Sequence, residues 1–229
     1  MTLLTQLLNR LSVWIQSKYP DGIILLNNGL TRDQITEKIK SLPFQFPEEL
    51  YELYQWRNGQ KYGSKGAMKI INSKGFGYDI DLEVFDCRVF LPLEDAIERY
   101  NFELHGYNFS DPSPRFKYSW FPVFYRDSYN YLLFDIRESG TCPLVSMRIQ
   151  SLPEEALITY SSLTKMIMTL VEFYEAGGDE VGVHEFCDEF EQIWLQHNAD
   201  IIADDFSQSL RDTRDGRLFS FYYNPNEEF

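Results

Sequence analysis

Residues Leu50–Gly63 read LYELYQWRNGQKYG. Leu50, Leu53 and Tyr54 stand three and four positions apart, the spacing that collects side chains on one helical face. Trp56 extends that apolar side. Pro47 suits a first helical turn, and the carboxylates of Glu48 and Glu49 suit its positive end. Asn58-Gly59 then supplies residues that tolerate positive φ, so the sequence predicts a helix closed by an Asn-Gly cap. Gln60 to Ala67, with Lys61, Tyr62 and Lys65, follows as a polar loop. Asn58, Gly59, Lys61 and Tyr62 are thus candidates for a contact rim as well as for a helix end.

Upstream, Leu3, Leu4, Leu7, Leu8, Leu11, Trp14 and Ile15 keep the same spacing and predict an amphipathic helix that ends near Tyr19-Pro20. Thr31 can cap a second helix carrying Ile35, Ile39 and Leu42, and Pro43 stops it. Downstream the period changes. Segments 68–76, 79–90, 119–125, 129–136 and 144–149 are short and rich in β-branched or aromatic residues, with Gly, Asn, Asp and Pro between them. A helix over 93–101 enters at Pro92 and sits between strands, and 106–118 is a loop. A further helix starts at Ser161 or Ser162, runs to about Tyr174 and ends at Gly177-Gly178. Helices, then strands, then helix predict an α+β fold with a central antiparallel or mixed sheet.

After Gly178 the composition shifts. Lys165 is the only basic residue between Ile149 and Leu210. Val183, Phe186, Phe190, Ile193, Trp194 and Ile201 recur mostly at three and four residues, which predicts an acidic amphipathic helix over 180–205. Residues 211–216 form a turn, and the aromatic run Phe219–Tyr223 suits a strand. Residues 1–178 are expected to form the main domain, with 179–229 an appendage packed on the same body. Glu185, Asp188, Glu189 and Glu191 make the acidic helix a candidate docking face.

The whole chain of 229 residues carries 35 acidic against 21 basic residues, a formal net charge of −14. Nucleic-acid binding rests on neutralising phosphates with Lys and Arg, and anionic membranes select for the same charge, so neither is an expected partner. A basic protein would be steered toward this field. Cys87, Cys142 and Cys187 are odd in number, widely spaced and without a CxxC, which fits reduced thiols in a cytoplasm. The N-terminal helix holds Arg10 and Lys18 and has no uninterrupted apolar region of the signal-peptide kind.

Catalytic chemistry finds little support. Asp79, Asp81 and Glu83 lie on one strand face and suit a hard cation, but the Gly and distal Glu of a calcium loop are missing, and a solvated strand face explains them. His184-Glu185-Phe186-Cys187 has no second ligand pair at zinc spacing. GxSxG, GxxxxGK[ST] and GxGxxG are all absent. No enzyme activity and no cofactor are expected.

Taken in order, the pieces resemble one family. Leu42-Pro43 precedes PEELYELYQWRNGQ; a strand pair follows; then Phe90-Leu91-Pro92-Leu93-Glu94-Asp95-Ala96, Trp120-Phe121-Pro122-Val123-Phe124, Tyr131-Leu132-Leu133-Phe134-Asp135, and a closing helix from Ser161 to Tyr174. Trp14 and NNGLTRDQITEKIKSLP match the N-terminal helices. Over residues 10–176 this is similar to the SUKH superfamily, which joins the yeast cell-wall synthesis regulator to many bacterial immunity proteins. The resemblance implies a non-catalytic α+β domain that binds a partner protein. In bacteria that partner is commonly a toxin, held inside the producing cell; in fungi the domain serves as a regulatory hub. An acidic inhibitor and a basic toxin domain are complementary in charge.

Overall fold

A computed structural model describes residues 1–20, 22–61, 84–86, 88–105, 116–127, 130–137, 142–148, 156–179, 182–183 and 187–202. The expected strand over 68–76, the carboxylates Asp79, Asp81 and Glu83, the His184–Phe186 stretch and everything beyond Ile202 lie outside them, as do the candidate residues Tyr62 and Glu185.

Helix α1 is Leu3–Lys18. Its stripe of Leu4, Leu7, Leu8, Leu11 and Ile15 is buried, and the Thr2 hydroxyl accepts the Thr5 N–H at its start. A 3-10 turn, Gly22–Leu25, leads into the short strand β1, Leu26–Asn28. Helix α2, Arg32–Ile39, opens with a reciprocal capping box between Thr31 and Gln34. Helix α3, Glu48–Trp56, buries Leu50, Leu53 and Tyr54.

The end of α3 departs from the sequence expectation. Arg57 is already extended (φ −149°, ψ 146°), and Arg57–Gln60 is strand β2, antiparallel to β1. No left-handed residue caps the helix. The positive φ expected of Asn58-Gly59 is present, but it belongs to Gly59 (φ 70°) inside β2. There the backbone passes against Pro92: a methyl group on Gly59 would stand 2.1 Å from the Pro92 nitrogen and 2.4 Å from the Leu91 carbonyl carbon. Only glycine meets both demands.

Strand β3 is Val89–Phe90, helix α4 Leu93–His105, β4 Trp120–Asp127, β5 Asn130–Asp135, β6 Leu144–Arg148 and β7 Leu157–Tyr160. The five strands β3 to β7 pair in chain order, every neighbour antiparallel, so the main sheet is a meander. The strand expected over 79–90 shrinks in its described part to Val89–Phe90, because Val84–Asp86 is a turn with Asp86 at φ 55°.

One sheet face is an aromatic layer. Phe124 packs on Phe85 and Phe90 at 5.2 and 5.5 Å between ring centroids, Tyr54 of α3 meets Phe90 at 5.3 Å, and Phe46 meets Phe121 at 4.9 Å. Helix α5, Leu163–Glu175, lies beside α1, where Trp14 stacks on Tyr174 at 4.1 Å. Ser162 caps α5, and the Glu49 carboxylate accepts the Leu163 and Thr164 N–H groups at 3.2 and 2.9 Å. An acid expected to serve its own helix dipole thus also serves the start of α5.

The acidic helix expected over 180–205 is interrupted: residues 182–183 are helical, and Cys187 is not. Helix α6 is Asp188–Ile202, with non-helical angles at Asn198 (φ −118°, ψ 23°). Val183 is buried in that helical stretch before α6, where the Asp179 carboxylate accepts the Gly182 N–H.

Candidate interaction surface

The first group of candidate residues turns inward. Asn58, Gly59 and Gln60 are buried, so the expected rim at Asn58-Gly59 is not on the surface. The reason is the ribbon itself: β2 is wedged between β1 and the β3–α4 connection. Asn58 Oδ1 accepts the Leu93 N–H at 2.8 Å and Asn58 Nδ2 donates to Glu94 Oε2 at 3.2 Å. Asn58 is a cap, but of α4 and not of the helix that precedes it. Lys61 follows half-buried, its N–H donating to the Leu25 carbonyl at 2.7 Å. Burial pushes the Glu94 carboxyl up, yet Lys38, 2.6 Å away, and Asn58 bring it net below the usual carboxylate range.

The second group turns outward. Asp188 and Glu189 are exposed in the first turn of α6, and Glu191 is half-buried. Among the described residues, the Asn58–Lys61 ribbon packs on β1, α3 and β3, whereas these acids stand on α6, which packs on α5 and β7. Their support is rigid. Phe190 and Trp194 are fully buried beneath them, with Phe190 edge-on to Phe173 at 5.2 Å. The ladder between β6 and β7 shifts register where Thr159 falls, and the Trp194 indole N–H donates to the Thr159 carbonyl at 2.9 Å. Asn198, fully buried at the break in α6, accepts the Ser161 N–H at 3.3 Å and donates to Thr169 Oγ1 and the Trp194 carbonyl. Asn198 therefore satisfies backbone where the edge strand leaves the sheet, a place where unpaired groups are costly. A His197–Glu172 hydrogen bond (2.7 Å) and the Lys165–Asp200 ion pair (3.0 Å) close the α5–α6 seam.

Titratable groups in the interior are tied to partners on neighbouring strands. Arg88 bonds the Asp86 carboxylate and its backbone carbonyl, and reaches Ser146 Oγ of β6 at 3.2 Å. Burial pushes the Asp86 carboxyl up, against the pull of Arg88, Tyr160 and Arg126. Glu103 sits between Arg99 and the Tyr131 hydroxyl, 3.5 and 3.4 Å away, and burial raises it too. Among the described residues, no cluster of three or more His, Cys, Asp or Glu side chains could hold a metal ion, and no helix is long and apolar enough to cross a membrane. Cys142 is buried and Cys187 half-buried, both as free thiols.

The chain, from just before α2 to the middle of α5, matches the SMI1 / KNR4 family (SUKH-1) over residues 29–169, more than half of its length. The chain belongs to the SUKH-1 family. No curated protein matches it. The SUKH-1 match begins just after β1, takes in β2, Asn58 and the whole five-stranded sheet, and stops within α5. Helix α6, with its acidic first turn, lies beyond it. Sequence reasoning reached α6 through charge and periodicity. It missed the Asn58–Leu93 cap, because no local pattern links residues 35 positions apart.

Proposed function

We propose that this SUKH-1 domain is a non-catalytic binding protein that neutralises a toxic protein partner in the cytoplasm, without a cofactor. The exposed first turn of α6 docks on a basic face of the partner and covers its working surface. Family membership carries this reading, since bacterial SUKH proteins commonly serve as immunity proteins. The acidic turn supports it: Asp188 and Glu189 sit on a helix fixed by Phe190, Trp194 and Asn198, so little order has to be gained on binding. The net charge of −14 supports it further by speeding encounter with a basic protein.

The test is protection. A candidate toxin domain, taken from a neighbouring reading frame where one encodes such a domain, is expressed in a host with and without the chain. Growth restored by the chain, and lost with Asp188→Asn/Glu189→Gln/Glu191→Gln, is expected. Unchanged toxicity contradicts the reading and favours a regulatory hub of the same fold that binds cellular proteins reversibly.

A further inference from the structure

Every described arginine side chain but one faces a carboxylate. Arg10 pairs with Glu175, Arg32 with Glu48, Arg88 with Asp86, Arg99 with Glu103 and Arg137 with Asp135, while Arg126 acts on Asp86. Arg57 has no such partner among the described residues. It is half-buried at the start of β2, its Nε–H is shut away from solvent without an acceptor, and its guanidinium lies 5.9 Å from the centre of the Trp56 ring. A chain with 35 acidic residues does not lack carboxylates for it. They are missing locally: between Glu52 and Asp79 the sequence has Arg57, Lys61, Lys65, Lys69 and Lys74 and no acid. Against a net charge of −14, this stretch is a basic island.

The surroundings of Arg57 combine apolar surface with cationic charge. Trp56 is half-buried, with its indole N–H held by Ser12 Oγ at 3.0 Å and its ring edge-on to Phe85 at 6.2 Å. Lys61, half-buried just after Gln60, adds a second cation at the end of β2. A guanidinium partly stripped of water and left without an anion is unfavourable on its own. Beside a fixed tryptophan it has the composition of an interface anchor, where Trp and Arg are over-represented.

We propose that the Trp56–Arg57 pair, with Lys61 just past the end of β2, is a second docking surface, and that it takes an Asp or Glu flanked by apolar side chains on a protein partner. The carboxylate pairs with Arg57, and the apolar flanks cover Trp56. This goes beyond the α6 reading, since the group recognised here is acidic where the other is basic.

The test follows the Arg57 Nε–H and Trp56 indole resonances of the whole ¹⁵N-labelled protein by NMR. A short peptide of Glu, Leu and Phe is titrated to about millimolar, with the Lys, Leu and Phe counterpart as control. The acidic peptide is expected to move both resonances saturably, and the basic one to leave them in place. Arg57→Gln is expected to weaken binding about tenfold, the loss of one charge-assisted hydrogen bond. Asp188→Asn/Glu189→Gln should leave the titration unchanged, which separates this surface from α6. Arg57→Gln alone should keep or raise the melting temperature, because no carboxylate partner is lost and the Trp56 ring contact, 5.9 Å to its centre, is a weak one. Absence of saturable shifts, equal binding by Arg57→Gln, or a fall in its melting temperature would each overturn the proposal.

Discussion

The side-chain oxygen of Asn58 accepts the Leu93 N–H at 2.8 Å, so a residue of β2 caps a helix that begins 35 residues later. Its amide reaches Glu94 in the same helical turn. Asn58→Ala leaves the Leu93 N–H buried without an acceptor and should lower unfolding stability by about 1–3 kcal/mol in urea titrations. Asn58→Asp keeps the acceptor but brings a second carboxylate to Glu94, and should be no better than Ala at neutral pH.

Gly59 is the least replaceable residue of the ribbon. Gly59→Ala combines a left-handed backbone at φ 70° with a methyl group 2.1 Å from the Pro92 nitrogen. Strain and overpacking together should cost at least about 3 kcal/mol. The readout is the urea midpoint, or loss of a cooperative transition altogether.

The hold of α6 on the sheet is tested through single hydrogen bonds. Trp194→Phe keeps most of the buried ring but leaves the Thr159 carbonyl without its indole donor. A loss of about 1–3 kcal/mol is expected. Asn198→Ala should selectively speed amide exchange at Ser161, whose N–H it accepts. An unchanged Ser161 exchange rate would mean that the edge strand does not depend on this contact.

Glu103 gives a pH signature. Burial pushes its carboxyl up, and Arg99 and the Tyr131 hydroxyl offset this only in part. The folded chain keeps the proton at a pH where the unfolded chain, near the ordinary value of about 4.3, has released it. Stability therefore falls as pH rises through that window. Glu103→Gln removes the fall. Variant and parent should have similar urea midpoints near pH 4, and the variant should gain on the parent toward pH 7.

Much of the fold is legible where side chains repeat at a fixed period. The Leu4–Ile15 stripe, the Thr31 cap, Leu50–Tyr54, and strands β4 to β6 are written in local spacing, and the structure follows them. The ribbon is not. Arg57-Asn58-Gly59-Gln60 is polar and short, and it becomes a strand only because β1 and Pro92 lie on either side. Strand β7 was missed for a similar reason, since four residues offer little periodicity. The acidic face was visible as composition, but the burial of Asn198 and its bonds to Ser161 and Thr169 depend on the tertiary fold.

The central claim is that the domain acts by binding one protein through the acidic first turn of α6. Affinity capture of the tagged protein from its host lysate, at low and moderate salt, tests it most directly, because moderate salt screens non-specific collection of basic proteins. The expected result is one near-stoichiometric partner with a basic, toxin-like domain that survives moderate salt and is lost with Asp188→Asn/Glu189→Gln/Glu191→Gln. Equal recovery of that partner by the variant, or no partner above background, would contradict the account.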